Sequence, residues 1–321
     1  MRSSAPAEAG DRAGVRPGAC ERCGPVATET GIKLTHPERV VYPGSGHTKA
    51  DVAGYYLRVA DVILPALHDR PLNLQRWPSG LSGHGFFQQN VTDAPEWMRQ
   101  HAVRHHGRMV NHALVSDPRD LLWMANRSVL TMHMWSARVD ALEQPDWVVF
   151  DLDPGGEAFA EVLPLARSLR GILEAAELES VPKTSGKRGL HVLVPIRRGP
   201  SHPQVVAWAR AVTRVLARLH PEVSTVERRK ADRDGKLYLD ALQNGQGKTL
   251  VAPYSLRDTP QATFSAPLRW SEVNERLDPT RFNLSTVARR LDRVGDLFAP
   301  ALRGTQTLPF LDPDEEVPVR S

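Results

Sequence analysis

A short apolar run that ends in two carboxylates constrains this chain more than any other feature. Residues 147–150 are Trp, Val, Val and Phe, and Asp151 and Asp153 follow at i, i+2 spacing before Pro154 and Gly155. An apolar run of this length that Pro and Gly bound is typical of a buried β-strand. Because side chains two apart in a strand point to the same face, Asp151 and Asp153 are predicted to lie side by side at its end.

The carboxylate pair Asp151 and Asp153 predicts a metal site. Two carboxylates this close repel each other, and burying them without a partner is costly. A divalent cation holds both ionised, and oxygen ligands favour Mg²⁺ or Mn²⁺. The alternative explanation is a turn-forming Asp pair before Pro-Gly. Asp240 ends an alternating segment at 236–240, and three carboxylates from neighbouring strands can hold the two ions that assist phosphoryl transfer.

The loop at residues 184–191 indicates an anion site. It contains Ser185, Lys187, Arg188 and two glycines, and His191 begins the next predicted strand. Glycines leave backbone N–H groups free to face an anion, while the hydroxyl and the cations add hydrogen bonds and charge. The spacing is not that of a Walker A motif. A basic surface turn is the alternative.

Further basic and aromatic residues surround these motifs. Lys248 and Arg257 flank the strand predicted after Asp240, and Gln243 lies between Asp240 and that strand. The two cations are suited to neutralising a triphosphate. Arg39 and Lys49 bracket a Gly-rich turn before a helix, where an anion site is expected. Phe86 and Phe87 follow the basic Arg76 and suit stacking on nucleic-acid bases. Solvated surface cations and core phenylalanines are the alternatives, and His133 either faces a site or packs in the core.

Composition sets wider limits. Of 321 residues 41% are hydrophobic and 24% charged, with a net charge of +4 that is compatible with a nucleic-acid partner. There is no membrane-length apolar run and no signal peptide, so a cytoplasmic location is expected. The only cysteines, Cys20 and Cys23, exclude a disulfide framework and are too few for a four-ligand zinc site.

The pattern of elements predicts an α+β fold, with helices on a largely antiparallel sheet. Residues 1–30 are predicted to be a disordered tail, 31–300 one catalytic domain whose part 31–145 binds DNA, and 301–321 a flexible tail. Helices are predicted from the apolar spacing over 52–67, 121–134, 159–176, 203–219 and 287–297. Strands are predicted at 70–77, around 86–87, at 147–153 and at 190–196, with 236–240 and 249–252 as a further pair.

Taken together, these motifs resemble the polymerase domain of bacterial ligase D, in the archaeo-eukaryotic primase superfamily. The matching segments run from about residue 34 to residue 297 in the family's order. They are 34–43, 48–51, 76–78, 86–87, 150–155, 184–186 with 189–191, and 252–257.

The resemblance implies a primase-polymerase of non-homologous end joining with an RRM-like β core decorated by helices. Such an enzyme fills gaps and extends DNA 3′ ends with nucleoside triphosphates, preferring ribonucleotides, with Mn²⁺ or Mg²⁺ as two metal ions. By position, the metal carboxylates are Asp151, Asp153 and Asp240. The nucleotide pocket is Arg76, His133, Ser185, Lys187, Arg188, His191, Gln243, Lys248 and Arg257. The DNA contacts are Arg39 and Lys49 for a 5′-phosphate, Phe86 and Phe87 for stacking, and Arg233.

The chain departs from the resembled family at two places. Arg39 stands where relatives carry Lys, and Gln88 and Gln89 follow the Phe pair where a Lys is common. No ligase motif is present, so Ku and a separate ATP-dependent DNA ligase are the expected partners, alongside DNA ends. Two rival functions remain, a non-catalytic end-binding module and a two-metal nuclease.

Overall fold

The computed structural model describes residues 31–105, 107–154 and 159–309, except for the side chain of Lys230. Six α-helices and thirteen strands form in these ranges. The helices are α1 (Lys49–Arg58), α2 (Ala60–Leu67), α3 (Pro118–Asn126), α4 (Val162–Ala175), α5 (His202–Leu219) and α6 (Val287–Val294). The strands are β1 (Val40–Tyr42), β2 (His47–Thr48), β3 (Leu72–Arg76), β4 (Phe86–Gln88), β5 (Gln100–His105), β6 (Arg108–Ala113), β7 (Val129–Trp135), β8 (Trp147–Leu152), β9 (Val181–Thr184), β10 (Leu190–Pro195), β11 (Ser224–Thr225), β12 (Leu237–Tyr238) and β13 (Thr249–Val251).

Two antiparallel sheets form the centre of the fold. One has the order β13-β7-β3-β4 and the other β8-β10-β9. Strands β5 and β6 form a separate hairpin, β1 pairs with β2, and β11 and β12 are a short parallel pair. This mixture of helices and largely antiparallel sheets confirms the α+β class expected from the sequence.

The sheet β8-β10-β9 is covered on both faces. Trp147 and Val149 face a core formed with α1, α2, α3 and the four-stranded sheet. Val148 and Phe150 face a second core formed with α4 and α5. Since side chains alternate along a strand, Asp151 continues the face of Trp147 and Val149 at the end of β8.

A buried ion pair fastens the start of β8 to the end of α2. Arg70 is fully buried, and its Nη2 donates to both Asp146 oxygens at 2.7 and 2.6 Å. Its remaining nitrogens donate to Ala66 O at 3.0 Å and Trp135 O at 3.2 Å, and its guanidinium lies 3.6 Å over the Trp147 ring. All the polar groups of the pair that face the protein are therefore satisfied, as a buried charge requires.

Helix α1 begins at the capping box that the sequence predicts. Thr48 N donates to Asp51 Oδ2 at 2.8 Å, and Asp51 N donates to Thr48 Oγ1 at 3.3 Å. A cap of this kind stabilises a helix by about 1 kcal/mol. The helical spacing over 52–67 is divided between α1 and α2, which meet at Val59.

Two predictions about the elements are wrong. The helix predicted over 121–134 ends at Asn126, and β7 begins at Val129 after Ser128, whose φ is +61°. Residues 129–135 are rich in apolar side chains and pack as a central strand between β3 and β13, which overrides helix propensity.

The predicted pairing of 236–240 with 249–252 is also wrong. Strand β12 pairs with β11 and β13 pairs with β7, because a 3-10 turn at Ala241–Asn244 redirects the chain between them. The buried Asn244 fixes this turn to β8: its Oδ1 accepts from Val149 N at 2.7 Å and its Nδ2 donates to Val149 O at 2.9 Å.

The ends of the chain differ in what can be described. Residues 1–30, which include Cys20 and Cys23, and residues 310–321 lie outside the described ranges. The first residues of the tail predicted at 301–321 pack against the domain: Gln306 Nε2 donates to Pro195 O at 2.8 Å and to Glu179 O at 3.0 Å. Among the described helices, none has the length and apolar character needed to cross a membrane.

Candidate active site

The three predicted carboxylates line one cavity of about 400 Å³. Asp151 and Asp153 come from the end of β8, and Asp240 from the turn that follows β12. The same cavity is lined by Arg233, Lys236 and Tyr238. The fold therefore brings carboxylates that are far apart in sequence to one cavity, which two cations also line.

Asp151 faces His191 across the β8–β10 pairing. The two residues are register partners, and His191 Nε2 lies 3.2 Å from Asp151 Oδ1. Although the two atoms lie this close, this buried oxygen has no hydrogen-bond partner in the described structure. A buried carboxylate oxygen without a donor is suited to a cation.

Lys183 contacts the ring nitrogen of His191 that is turned away from Asp151. It is fully buried in β9, and its Nζ lies 2.7 Å from His191 Nδ1, 2.9 Å from Val251 O and 2.8 Å from Ser265 Oγ. Burial lowers the pKa of Lys183 well below its usual value. Its three contacts fix the orientation of the His191 ring, whose Nε2 is turned towards Asp151.

The charged groups at this site shift one another's pKa values. Burial, and next the charge of Lys183, lower the pKa of His191 to about 4. Burial raises the pKa of Asp151, but the interactions with His191 and Lys183 outweigh it and leave that pKa below its usual value. Burial and the neighbouring Asp151 raise the pKa of Asp153 to about 6. The two carboxylates therefore repel, as their spacing predicts.

Asp153 is held close to the chain at Gly189. A Cβ at position 189 would lie 2.2 Å from Asp153 Oδ1 and 2.9 Å from Leu152 O, so only glycine fits there. The Asp153 carboxylate is thus in close contact with the loop at residues 185–189.

The donor set fits a hard divalent cation. Asp151 offers an oxygen without a hydrogen bond, and Asp153 is a second carboxylate beside it. Asp240 is partly engaged, since its Oδ1 accepts from Leu242 N at 2.9 Å and from Tyr238 Oη at 3.3 Å. Within the described residues no three acidic, His or Cys side chains converge as a ready-made cluster, although all three carboxylates line the one cavity.

The loop at 185–189 is organised around Ser185. Its Oγ accepts from Lys187 N at 3.2 Å and from Gly189 N at 3.0 Å. Gly186 has a φ of +74°, and Thr263 Oγ1 donates to its carbonyl. Lys187 Nζ is paired with Asp258 Oδ1 at 2.7 Å, and Arg188 is exposed. In this loop Lys187 is therefore paired with Asp258, whereas the side chain of Arg188 faces solvent.

Arg257 and His133 lie deeper in the same region. Arg257 has a buried Nε without a hydrogen-bond partner among the described residues, and its charge acts on Asp151 and Asp153. Burial, and next Arg257, lower the pKa of His133 to about 3, so this imidazole is neutral. Its Nε2 is also buried without a partner in the described structure.

The other predicted nucleotide residues are placed further out. Gln243 Nε2 donates to Thr249 O at 2.7 Å, and Lys248 is exposed. Arg76 is bound to β4 and to Arg127, donating to Gln88 Oε1 and to Arg127 O at 2.9 Å each. In the described structure none of these three lines the carboxylate cavity, in contrast to Arg233.

Arg39 and Lys49 lie together at the start of α1. Lys49 N donates to Arg39 O at 2.8 Å, and the buried Lys49 Nζ donates to Thr35 O at 2.8 Å. Arg39 is exposed and donates to Pro78 O at 2.6 Å. Burial, and next the charge of Arg39, lower the pKa of Lys49 to about 8. Two cations that lie this close repel each other, and an anion bound between them would relieve that repulsion.

Phe86 and Phe87 are exposed on the edge strand β4. Their exposed fractions are 46% and 63%, which excludes the core alternative. The Phe87 ring meets His133 edge to face at 5.6 Å, and Arg76 lies 5.3 Å over the Phe86 ring. Exposed aromatic faces next to cations are suited to stacking on bases.

Sequence reasoning missed Lys183, Lys236 and Tyr238. The strand that contains Lys183 carries no pattern that marks a lysine as buried. Lys236 and Tyr238 stand in the alternating segment before Asp240. Because residues two apart share a face, both could have been assigned to the side of Asp240.

Comparison with known proteins identifies the relatives of this chain. Residues 48–298 match the family model described as LigD, primase-polymerase domain. The multifunctional non-homologous end joining protein LigD of Mycolicibacterium smegmatis is 35% identical over 274 residues, covering 84% of this chain and 36% of that protein. The bifunctional LigD of Bacillus subtilis is 30% identical over 282 residues, covering 87% of this chain and 45% of that protein. The chain spans less than half the length of these curated relatives.

A solved structure gives the same result for the fold. The polymerase domain of Mycobacterium tuberculosis ligase D in complex with DNA matches with a TM-score of 0.79 at 31% identity. The match covers 84% of this chain and 98% of that domain.

Proposed function

This chain belongs to the family of LigD primase-polymerase domains, and we propose on that basis that it transfers nucleotides to DNA 3′ ends. The observation that carries the proposal is the cavity shared by Asp151, Asp153 and Asp240. Strand pairing joins that cavity to His191 and to the Ser185 loop. Metal-binding carboxylates beside a cationic loop are what a triphosphate substrate needs, whereas a nuclease needs no triphosphate pocket.

Asp151, Asp153 and Asp240 would hold Mn²⁺ or Mg²⁺, two ions in all, which would supply activation of the attacking hydroxyl and neutralisation of the leaving pyrophosphate. The chain's own part is to position these groups. Gly189 lets the loop approach Asp153 closely, and Lys183 fixes the orientation of the His191 ring. Burial lowers the pKa of His191 to about 4, so this ring is neutral beside the carboxylates.

The phosphates of the incoming nucleotide are assigned to the Ser185 loop. Lys187 would exchange Asp258 for a phosphate, and the exposed Arg188 would close over it. Arg257 supplies a buried charge that already acts on both carboxylates. Each of these groups is charged, so each bond to phosphate is of the stronger, charge-assisted kind.

The DNA is assigned to the surface formed by β1, α1 and β4. Arg39 and Lys49 would bind a 5′-phosphate, and the anion would relieve the repulsion that lowers the pKa of Lys49. Phe86 and Phe87 would stack on bases at the gap, and Arg233 would contact the strand near the cavity. We expect a gapped duplex to bind with its 3′ end at the cavity and its 5′-phosphate at Arg39 and Lys49.

The biological setting follows from the relatives. They are named for non-homologous end joining, so this domain would fill gaps at double-strand breaks, with ribonucleotides preferred over deoxyribonucleotides. Ku and an ATP-dependent DNA ligase would be its partners on the bacterial chromosome. These roles extend the proposal from the domain to the repair reaction.

Primer extension on a gapped duplex tests the proposal. Each ribonucleotide and deoxyribonucleotide is offered with Mn²⁺ or Mg²⁺, and Asp151→Asn is compared with Asp61→Asn, an exposed carboxylate on α2. A metal ligand contributes several kcal/mol of charge stabilisation, so Asp151→Asn is expected to lose roughly 10²-fold or more of the rate. The Asp61→Asn control is expected to keep it.

The other outcomes identify the rivals. Shortening of the labelled DNA would indicate a two-metal nuclease. DNA binding without extension or shortening would indicate an end-binding module. Extension that persists in Asp151→Asn would contradict the assignment of the carboxylates.

A further inference from the structure

A second cavity, of about 660 Å³, lies between helix α6 and the segment that precedes it. Five arginines contribute to its lining, against two acidic residues. The arginines are Arg276, Arg281, Arg289, Arg290 and Arg293. None of the residues assigned above to metal, nucleotide or DNA lines this cavity, so its charge has no explanation in the proposed active site.

The two acidic residues are already occupied. Glu272 accepts from Arg290 Nη1 and Nη2 at 2.9 Å each, and Arg290 is buried. Asp278 accepts from Thr280 N at 2.9 Å and Thr280 Oγ1 at 2.6 Å, and Arg281 Nε lies 3.6 Å from it. Glu272 therefore neutralises the charge of Arg290, and Asp278 partly neutralises the charge of Arg281. The charges of the other three arginines have no acidic partner in the cavity lining.

Arg276, Arg289 and Arg293 are exposed and have no side-chain hydrogen bond or ion pair within the described residues. Arg289 and Arg293 stand four apart on α6, so their side chains are neighbours. Like charges at this spacing repel each other and destabilise a helix. A bound anion would remove that repulsion.

The cavity wall continues towards the two anion sites described above. Ser285 Oγ lies 3.2 Å from His47 Nε2, two residues from Lys49. Asn283, which lines the cavity, is bridged to Thr263, whose Oγ1 donates to the Gly186 carbonyl. The segment 283–285 thus separates the arginines from the 5′-phosphate pair on one side and the Ser185 loop on the other.

We propose that this arginine-lined cavity binds backbone phosphates of a nucleic-acid strand. The proposal rests on the proposed function for the identity of the strand, which is the DNA held at Arg39 and Lys49. An exposed, wide cavity with guanidiniums on separate turns suits phosphates spaced along a backbone. A single small anion would be better held by buried donors converging on one point.

The salt dependence of DNA binding tests the proposal. Arg289→Gln/Arg293→Gln is compared with Arg210→Gln/Arg214→Gln, an exposed pair with the same spacing on α5. Binding of a fluorescein-labelled gapped duplex is followed by anisotropy from low to moderate salt, without nucleotide. The slope of log Kobs against log[salt] is expected to fall in magnitude by about 0.7–0.9 for each phosphate that the variant no longer neutralises. The α5 control is expected to keep the wild-type slope.

The alternatives are separated by two further measurements. Equal slopes in wild type and in the α6 variant would overturn the proposal, as would an equal decrease in the α5 control. A higher KM for nucleotide with an unchanged slope would assign the arginines to a free triphosphate and also overturn it. Because binding is measured without incorporation, an inactive chain with the expected slope change would refute the proposed function alone. Thermal melting confirms that both variants are folded.

Discussion

Removing the carboxylate of Asp146 should destabilise the whole domain. Asp146→Ala would leave the Arg70 guanidinium fully buried with only two backbone carbonyls as acceptors. Burial lowers the pKa of Arg70 to about 10, which still leaves it charged at neutral pH. Breaking one side of a buried ion pair costs about 3–5 kcal/mol, because the other charge cannot be solvated. For a chain of this size that corresponds to a decrease in Tm of roughly 10 °C.

The matched control is Asp140→Ala. Asp140 accepts from Arg198 at 2.6 Å, the same distance as the pair at Arg70, but its side chain is 63% exposed. An exposed pair contributes about 1 kcal/mol or less. Thermal melting followed by circular dichroism compares the two variants, and urea titration checks the order.

A third variant addresses the mechanism of the destabilisation. Arg70→Met in the Asp146→Ala background removes the unpaired charge and should recover part of the stability. If Asp146→Ala and Asp140→Ala melted within about 2 °C of each other, the reasoning from burial would be refuted.

Two further predictions concern DNA affinity and pH. Phe87→Ala should weaken binding of gapped DNA by about 1–3 kcal/mol in anisotropy titrations, whereas Trp97→Ala, another exposed aromatic, should not; equal decreases in affinity would contradict stacking at Phe87. Glu272→Gln should cost about 1.5–3 kcal/mol at neutral pH by urea titration, because Arg290 loses its charged partner. Although burial raises the pKa of Glu272, the bonds from Arg290 lower it on balance, so the wild-type advantage should be complete above the unfolded value near 4.3 and vanish as the pH falls through the lower folded value. A constant advantage down to pH 2 would contradict this assignment.

Local patterns predicted much of this fold. The run before Asp151 is a strand because its bounds and its apolar content agree, and the capping box at Thr48 and Asp51 marks the helix start. The Phe pair at 86–87 is exposed, as an assignment to stacking requires. Asp151, Asp153 and Asp240 line one cavity, but β8 and β12 are not the neighbouring strands that the sequence prediction assumed, and the three carboxylates form no cluster within the described residues.

Other features depend on packing between distant segments. Residues 121–134 carry apolar side chains that satisfy a helix and a strand equally, and only the neighbours β3 and β13 decide for a strand after Ser128. The partner of 249–251 is β7 rather than the nearer β12, since Asn244 ties the intervening turn to Val149. Lys183 was not predictable because its burial depends on Val251 O and Ser265 Oγ.

The pairing of Asp151 with His191 has a consequence for how the activity can be lost or kept. Asp151 and His191 stand on adjacent antiparallel strands, and a slip of one residue would turn His191 to the opposite face. Helix α4 and strand β9 lie between these two strands in the chain. The pairing of β8 with β10 therefore sets the distance between Asp151 and His191. Insertions between α4 and β9 are therefore expected to be tolerated so long as β9 still pairs with β10, because Lys183 on β9 fixes the His191 ring. Under the proposed function, nucleotide incorporation would be lost whenever the β8–β10 register is lost.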